Sequence, residues 1–208
     1  MFKGRAIIQH LKDMRRYIAF SFILFFAGII VGGTNPAFKA FLEGQLTGLQ
    51  QLANLVDNTN NPTLTMMIVI FLNNAIKSIL IMYLGAFFGV LPIFFLVLNG
   101  MIIGYLLQTI ADNPAAPSVF EVVFKGLLPH GIIEIPAIVI ACAYGIKFGG
   151  LTLRASGSLL FARQKLGGIG KELEFFMIRT VPMMVILTVS LLLASVIEST
   201  ITVWLLGK

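Results

Sequence analysis

Three ionisable side chains occur inside long apolar stretches of the sequence: Lys77, His130 and Glu134. His130 and Glu134 are four residues apart, so a helix would carry both on one face. An ionisable group within an apolar span is costly to bury in a membrane and is a candidate functional group by default. Three amides occur in the same stretches. The predicted intramembrane polar cluster therefore consists of Asn73, Asn74, Lys77, Asn99, His130 and Glu134.

The Glu134 carboxylate must be paired, hydrated or protonated, because an isolated charge is not tolerated in hydrocarbon. We expect it to face the protein interior and to reach at least one other side chain of the cluster. Measured by helix rise from the outer ends of the spans, Glu134 lies about 7 Å deep, Asn73 about 12 Å and Lys77 about 18 Å. Asn73 is therefore the closer predicted partner. Two interpretations remain open: a structural network that locks the helices together, and a site for an ion, a proton or a small ligand.

Catalytic and metal-binding motifs are missing from the sequence. It contains no glycine-rich phosphate loop, no nucleophile elbow and no HExxH motif. A metal site needs three or four ligands, and only His130 and Glu134 can be placed together. Cys142 is about 18 Å from His130 along a helix, and His10 belongs to the other side of the membrane. The sequence therefore predicts no catalytic residues, no metal and no cofactor.

The composition identifies the elements that must position this cluster. Of 208 residues, 58% are hydrophobic and 12% are charged, and the mean hydropathy is +0.95. A soluble domain carries about 25% charged residues, so a water-soluble globule is excluded. A single cysteine excludes an intrachain disulfide, and the apolar runs lack the alternation of a β-barrel. The sequence predicts one all-α domain, residues 1–208, that forms a polytopic transmembrane bundle.

Five apolar stretches are long enough, or nearly so, to cross a bilayer. Fifteen Lys and Arg residues give the chain a net charge of +6. Eleven of them lie in residues 1–16 and 146–180, on one predicted side, which is therefore cytoplasmic. This topology places the N-terminus inside the cell and the C-terminus outside. It explains the basic residues through anionic lipid headgroups, without nucleic acid. The predicted spans are 17–33, 65–84, 90–108, 129–145 and 181–204, and the eleven cations are Lys3, Arg5, Lys12, Arg15, Arg16, Lys147, Arg154, Arg163, Lys165, Lys171 and Arg179.

Three further segments are predicted outside the simple spans. Apolar residues at three- and four-residue spacing in residues 36–56 indicate an amphipathic helix on the outer surface. Residues 151–180 show a similar pattern on the cytoplasmic side. Ser118 and Glu121 have the spacing of a capping box, which predicts a short helix before the fourth span. Pro129 and Gly131 flank His130, so we expect the helix to break at this level.

Small residues four apart recur along the spans and predict close helix packing. There are many such pairs for only five helices. We therefore expect one pair to serve a homodimer or a higher oligomer, although the sequence does not indicate which. The predicted packing residues are Gly28, Gly32, Gly85, Gly89, Gly100, Gly104, Ala137 and Ala141.

Residues 71–145 resemble the core of the stage II sporulation protein M family, also called DUF95. The resemblance is carried by paired asparagines, by glycine pairs and by a Pro-His-Gly motif followed by a glutamate. It implies a multi-pass membrane protein. The family's namesake works in a membrane complex with a cell-wall hydrolase and its partner, and related proteins also occur in organisms that make no spores. The matching residues are Asn73, Asn74, Gly85, Gly89, Asn99, Gly100, Gly104, Pro129, His130, Gly131, Glu134 and Ala137.

Three functions compete at this point. The first is a non-enzymatic scaffold or subunit of a complex in the cell membrane, with other membrane proteins as partners. The alternative is a small transporter or channel that uses the polar site around His130 and Glu134. An intramembrane enzyme ranks last. A closed, dry cluster favours the scaffold, whereas a cavity that reaches His130 and Glu134 favours the transporter or the enzyme.

Overall fold

The computed structural model describes residues 4–161, 164 and 166–207 of the chain. Four of the fifteen Lys and Arg residues lie outside these described residues. They are Lys3, Arg163, Lys165 and Lys208.

Within the described residues, every regular element is helical, as predicted, and five helices are long and apolar enough to cross a membrane. The amphipathic helix predicted at 36–56 is also present, as a short 3-10 turn followed by a helix. Two π-helical turns, π1 and π2, adjoin the fourth and fifth long helices. The elements are α1 (Gly4–Thr34), a 3-10 turn (Pro36–Phe38), α2 (Lys39–Asp57), α3 (Pro62–Leu84), α4 (Val90–Ala111), α5 (Val119–Glu121), π1 (Val122–Leu127), α6 (Leu128–Phe161), α7 (Leu166–Ile197), π2 (Glu198–Thr202) and α8 (Val203–Leu205).

The helices α6 and α7 are longer than the spans predicted for them. They contain 34 and 32 residues, so each is roughly 50 Å long, whereas the hydrocarbon core is about 30 Å thick. Residues 151–161 and 166–180 are therefore continuous with these two helices, and the amphipathic character predicted for the segment 151–180 remains a prediction. No proline interrupts residues 151–161, and Arg154 forms an ion pair with Glu172 (Nη2–Oε1 2.9 Å) across the two helices.

The predicted break at His130 is wrong. Ser118 Oγ accepts a hydrogen bond from the Glu121 amide (3.2 Å), as the capping spacing predicted. The chain then forms π1 and continues as an unbroken helix through His130. Pro129 lies directly after the widened turn π1, where the regular hydrogen bonding of the α-helix is already interrupted, so its missing N–H costs less there. The irregularity is thus a widened turn ahead of His130, and the helix itself remains continuous.

The small-residue pairs form two seams within the chain. Gly28 and Gly32 of α1 lie against the backbone of α4 near Gly100 and Met101. Gly104 of α4 lies in turn against the backbone of α1. The second seam joins α3 to α6, and Ala137 and Ala141 are buried in the core beside it. The glycine pairs on which the oligomer prediction rested are thus occupied inside one chain, and that prediction remains a prediction.

The α3–α6 seam brings two backbones into direct contact. A Cβ atom added to Gly85 would collide with the carbonyl of Gly145, and one added to Gly149 would collide with the amide of Gly89. Both contacts join residues that are 60 positions apart in the sequence. The two helices therefore run in the same direction in a single fixed register, which also determines which polar residues meet further along them.

Gly145→Ala should lower the stability of the protein in detergent by about 1–3 kcal/mol, because the added methyl group overpacks the seam. Its Cβ atom would lie 2.6 Å from the carbonyl oxygen of Ile81 and 2.5 Å from Cγ of Pro92. Gly150→Ala is the matched control, since the same methyl group on the same helix meets nothing within 4 Å. Equal thermal unfolding midpoints for the two variants would show that the seam does not constrain the fold.

Candidate functional site

A cavity of about 510 Å³ lies between α2, α3, α4, α6 and the end of α7. We call it the polar cavity. All six side chains of the predicted polar cluster line it, together with one carboxylate that the sequence analysis did not select. These lining residues are Asn73, Asn74, Lys77, Asn99, His130, Glu134 and Glu198.

Glu134 faces the polar cavity and is held by α3. Asn74 donates a hydrogen bond from Nδ2 to Glu134 Oε1 at 2.9 Å. The predicted depths favoured Asn73, which instead donates to Asn74 Oδ1 at 3.3 Å. The difference arises because successive residues of a helix point about 100° apart, and Asn74 is the one turned toward α6. The two asparagines thus form a short chain of amides that ends on the carboxylate.

Lys77 and Asn99 line the same cavity without contacting Glu134. Asn99 donates to the backbone carbonyl of Phe95, one turn earlier on its own helix, at 2.7 Å. Among the ion pairs of the described residues, none joins Lys77 to Glu134. The described residues therefore contain no Lys77–Glu134 ion pair, which agrees with the greater predicted depth of Lys77.

Glu198 is a functional candidate that was not predicted from the sequence. Potential ligand atoms of His130, Glu134 and Glu198 all lie within 4.8 Å of one another. Glu198 begins π2 and falls inside the predicted span 181–204. The rule that selected Glu134, an ionisable residue within an apolar span, would also have selected Glu198. The argument against a metal site, that only two ligands can be placed together, no longer holds.

The imidazole of His130 has a hydrogen-bond partner on π2, the turn that also contains Glu198. Its Nδ1 atom lies 3.3 Å from Thr202 Oγ1, and Thr202 is buried. A hydrogen bond through Nδ1 fixes the ring and leaves Nε2 as the second functional nitrogen. The turn π2 therefore supplies both a carboxylate to the group and a support for its histidine.

The helix α2 covers the polar cavity. Gly44 and Gly48 of this helix line the cavity, and a Cβ atom on either would meet nothing within 4 Å. Tyr105 of α4 fastens α2 by donating from its hydroxyl to Glu43 Oε1 at 3.0 Å. Gln45, Leu49 and Leu52 of the same helix also line the cavity, and the two glycines leave open space between these larger side chains.

The charges around the polar cavity favour a cation. Glu134 and Glu198 offer two carboxylates, and Lys77 offers one ammonium group. With all three ionised and His130 neutral, one net negative charge remains. Two carboxylates this close repel each other unless a proton or a cation lies between them. The arrangement is therefore suited to hold a proton or a positively charged ligand.

The long apolar helices, the glycine seams and the polar groups at membrane depth together define a polytopic helical membrane protein. The family model for stage II sporulation protein M matches residues 18–203. The chain therefore belongs to the stage II sporulation protein M family, and the resemblance read from residues 71–145 is confirmed.

A curated relative is similar to this chain over most of its length. It is an uncharacterized protein of Methanocaldococcus jannaschii, 27% identical over 153 residues, which represent 74% of this chain. The match covers 63% of that relative, so this chain spans less than two thirds of its length. No solved structure gives a significant match.

Asn74→Leu should destabilise the protein by about 1–3 kcal/mol, because it removes the amide that donates to a buried carboxylate. Glu134→Gln should cost less, since a side-chain oxygen remains to accept from Asn74. Thermal unfolding in detergent measures both changes. Asn99→Leu is the control, because that amide donates only to its own helix. An Asn74→Leu midpoint no lower than that of Asn99→Leu would contradict a structural role for the Asn74–Glu134 bond.

Proposed function

We propose that this chain is a non-enzymatic membrane protein that binds a small cation in the polar cavity and passes it across the bilayer. The observation that carries the proposal is the cavity itself, which brings His130, Glu134 and Glu198 to one internal surface. Ionisable groups at membrane depth are expensive, and they are characteristic of ion pathways and proton relays. A purely structural network would not require the open volume beside it.

The size of the polar cavity supports a hydrated site. Its volume of about 510 Å³ far exceeds the roughly 10–15 Å³ that is needed to hold one water molecule. Its amide side chains would supply hydrogen bonds to water or to a hydrated ion. Water in the cavity would also lower the cost of the Glu134 and Glu198 charges.

We also propose an orientation of the chain in the membrane. The cation distribution favours a cytoplasmic N-terminus and an external C-terminus in the cell membrane. The polar cavity, covered by α2, then lies toward the outer side. The opposite end of the bundle carries the charged ends of α6 and α7, which would project into the cytoplasm. With this orientation a ligand would reach Glu134 from outside the cell.

A second candidate function is a subunit of a membrane complex, as the family's namesake is. The projecting ends of α6 and α7 favour it, because they exceed the length needed to cross the bilayer and carry charged side chains such as Arg154 and Glu172. These ends offer a surface for a membrane-protein partner or a second copy of the chain. The two candidates are compatible, since a complex can contain a subunit that passes ions.

Cation flux into reconstituted vesicles tests the first candidate. Vesicles loaded with a pH-sensitive dye or a divalent-metal-sensitive dye should respond to an imposed gradient when they contain the protein. Gly48→Leu should reduce the response to that of protein-free vesicles, because the side chain fills the polar cavity from α2. Glu134→Gln should do the same by removing a charge from the pathway.

Gly157→Leu is the matched control for the cavity-filling variant. Its glycine also has open space around it, but it lies on the projecting end of α6 and does not line the polar cavity. Flux that is equal in Gly48→Leu, Gly157→Leu and the parent protein would overturn the proposal. Absence of flux in folded parent protein would leave the complex subunit as the better account.

A further inference from the structure

We propose that His130, Glu134 and Glu198 form a binding site for one divalent transition-metal ion. This inference deepens the proposed function, because it names the class of cation that the polar cavity holds. The sequence pattern supplied only two of the three ligands, and the fold adds the third from the far end of the chain. The chemistry of these groups, their outer partners and their backbone setting all support the assignment.

The three side chains have the composition and spacing of a metal site that is close to formed. Their ligand atoms lie within 4.8 Å of one another. Nitrogen and oxygen ligands sit about 2.0–2.2 Å from zinc, which places them about 3.4 Å apart in a tetrahedral site. Small side-chain rotations close that gap. The two carboxylates would balance the charge of a divalent ion.

Each of two ligands is oriented by an outer partner, as in established metal sites. Thr202 Oγ1 lies 3.3 Å from Nδ1 of His130, which leaves Nε2 for the metal. Asn74 donates to Oε1 of Glu134 at 2.9 Å. The other oxygen of that carboxylate, Oε2, is buried and has no hydrogen-bond partner among the described residues. This buried acceptor is an independent sign of a missing positive group.

The backbone around the site is irregular on both sides. The turn π1 directly precedes the start of α6, three residues before His130, and π2 contains Glu198 and Thr202. π-Helical turns inside helices are rare and frequently mark functional sites. Here the widened turn π2 places a carboxylate and a hydroxyl on the same side of the helix, toward His130.

The ligand set selects a class of metal. Imidazole with carboxylates suits Zn²⁺ and Fe²⁺, whereas Mg²⁺ and Ca²⁺ prefer oxygen ligands alone. Three protein ligands leave at least one coordination position open toward the polar cavity, where water or the next group of a pathway can bind. Lys77 lines the same cavity, and its ammonium group would repel the metal ion and weaken binding. Weaker binding would allow a transported ion to be released.

Zinc titration by calorimetry tests the site on the full chain in lipid nanodiscs, purified through a tag without histidine and treated with chelator. One Zn²⁺ ion should bind per chain. His130→Ala and Glu198→Gln should weaken binding more than Thr202→Val, which removes only an outer partner and should weaken it about 10–100-fold. His10→Ala, which removes the other histidine of the chain, and Glu121→Gln, a surface carboxylate, are the matched controls and should bind normally.

X-ray absorption of the zinc-loaded parent protein tests the ligands without any variant. The expected shell contains one imidazole nitrogen and oxygens at about 2.0–2.2 Å. Absence of stoichiometric binding, equal binding by His130→Ala, or a shell with sulfur from Cys142 would overturn the metal site. If the parent protein passes protons but binds no metal, this inference alone is refuted. Metal binding without any flux would refute the transport function alone.

Discussion

The packing of α3 on α6 is the contact on which the rest of the structure depends. Gly85 and Gly145 bring the two backbones together at one end. Eleven residues along both helices, about 16 Å away, the same register sets Asn74 opposite Glu134. In lipid there is no hydrophobic force to bring helices together, so close backbone packing must fix their register. A slip by one residue would rotate the amide away from the carboxylate. The seam therefore provides the geometry of the polar cavity as well as stability.

The end of α7 completes the site that this seam begins. Glu198 and Thr202 reach His130 from a π-helical turn. The helix α2 covers the cavity, and Gly44 and Gly48 are among its lining residues. The elements α1, α2, α3, α4, α6 and π2 all contribute residues to the lining of the cavity.

Much of this arrangement is predictable from the residue types. Apolar run lengths predicted five spans, and the cost of burying charge selected Glu134 and His130. The helix interruption was expected at His130 because proline and glycine flank it. Pro129 follows a π-helical turn, however, and the irregularity lies in that turn, while the helix continues through His130. Glu198 was overlooked although it obeys the same rule as Glu134. Whether Asn73 or Asn74 contacts Glu134 depends on the rotation of α3 about its axis. The predicted depth of a residue along its span does not give that rotation.

The central claim is that the polar cavity contains water within the bilayer. Asn73 lines this cavity, whereas Leu72, one residue earlier and turned about 100° around α3, does not line it and is exposed. The decisive measurement is the labelling of Asn73→Cys and Leu72→Cys in intact cells, in a Cys142→Ala background, by a charged thiol reagent added from outside. The account predicts that Asn73→Cys is labelled and Leu72→Cys is not, because Leu72 faces lipid. Equal labelling of the two positions, or labelling of Leu72→Cys alone, would contradict it.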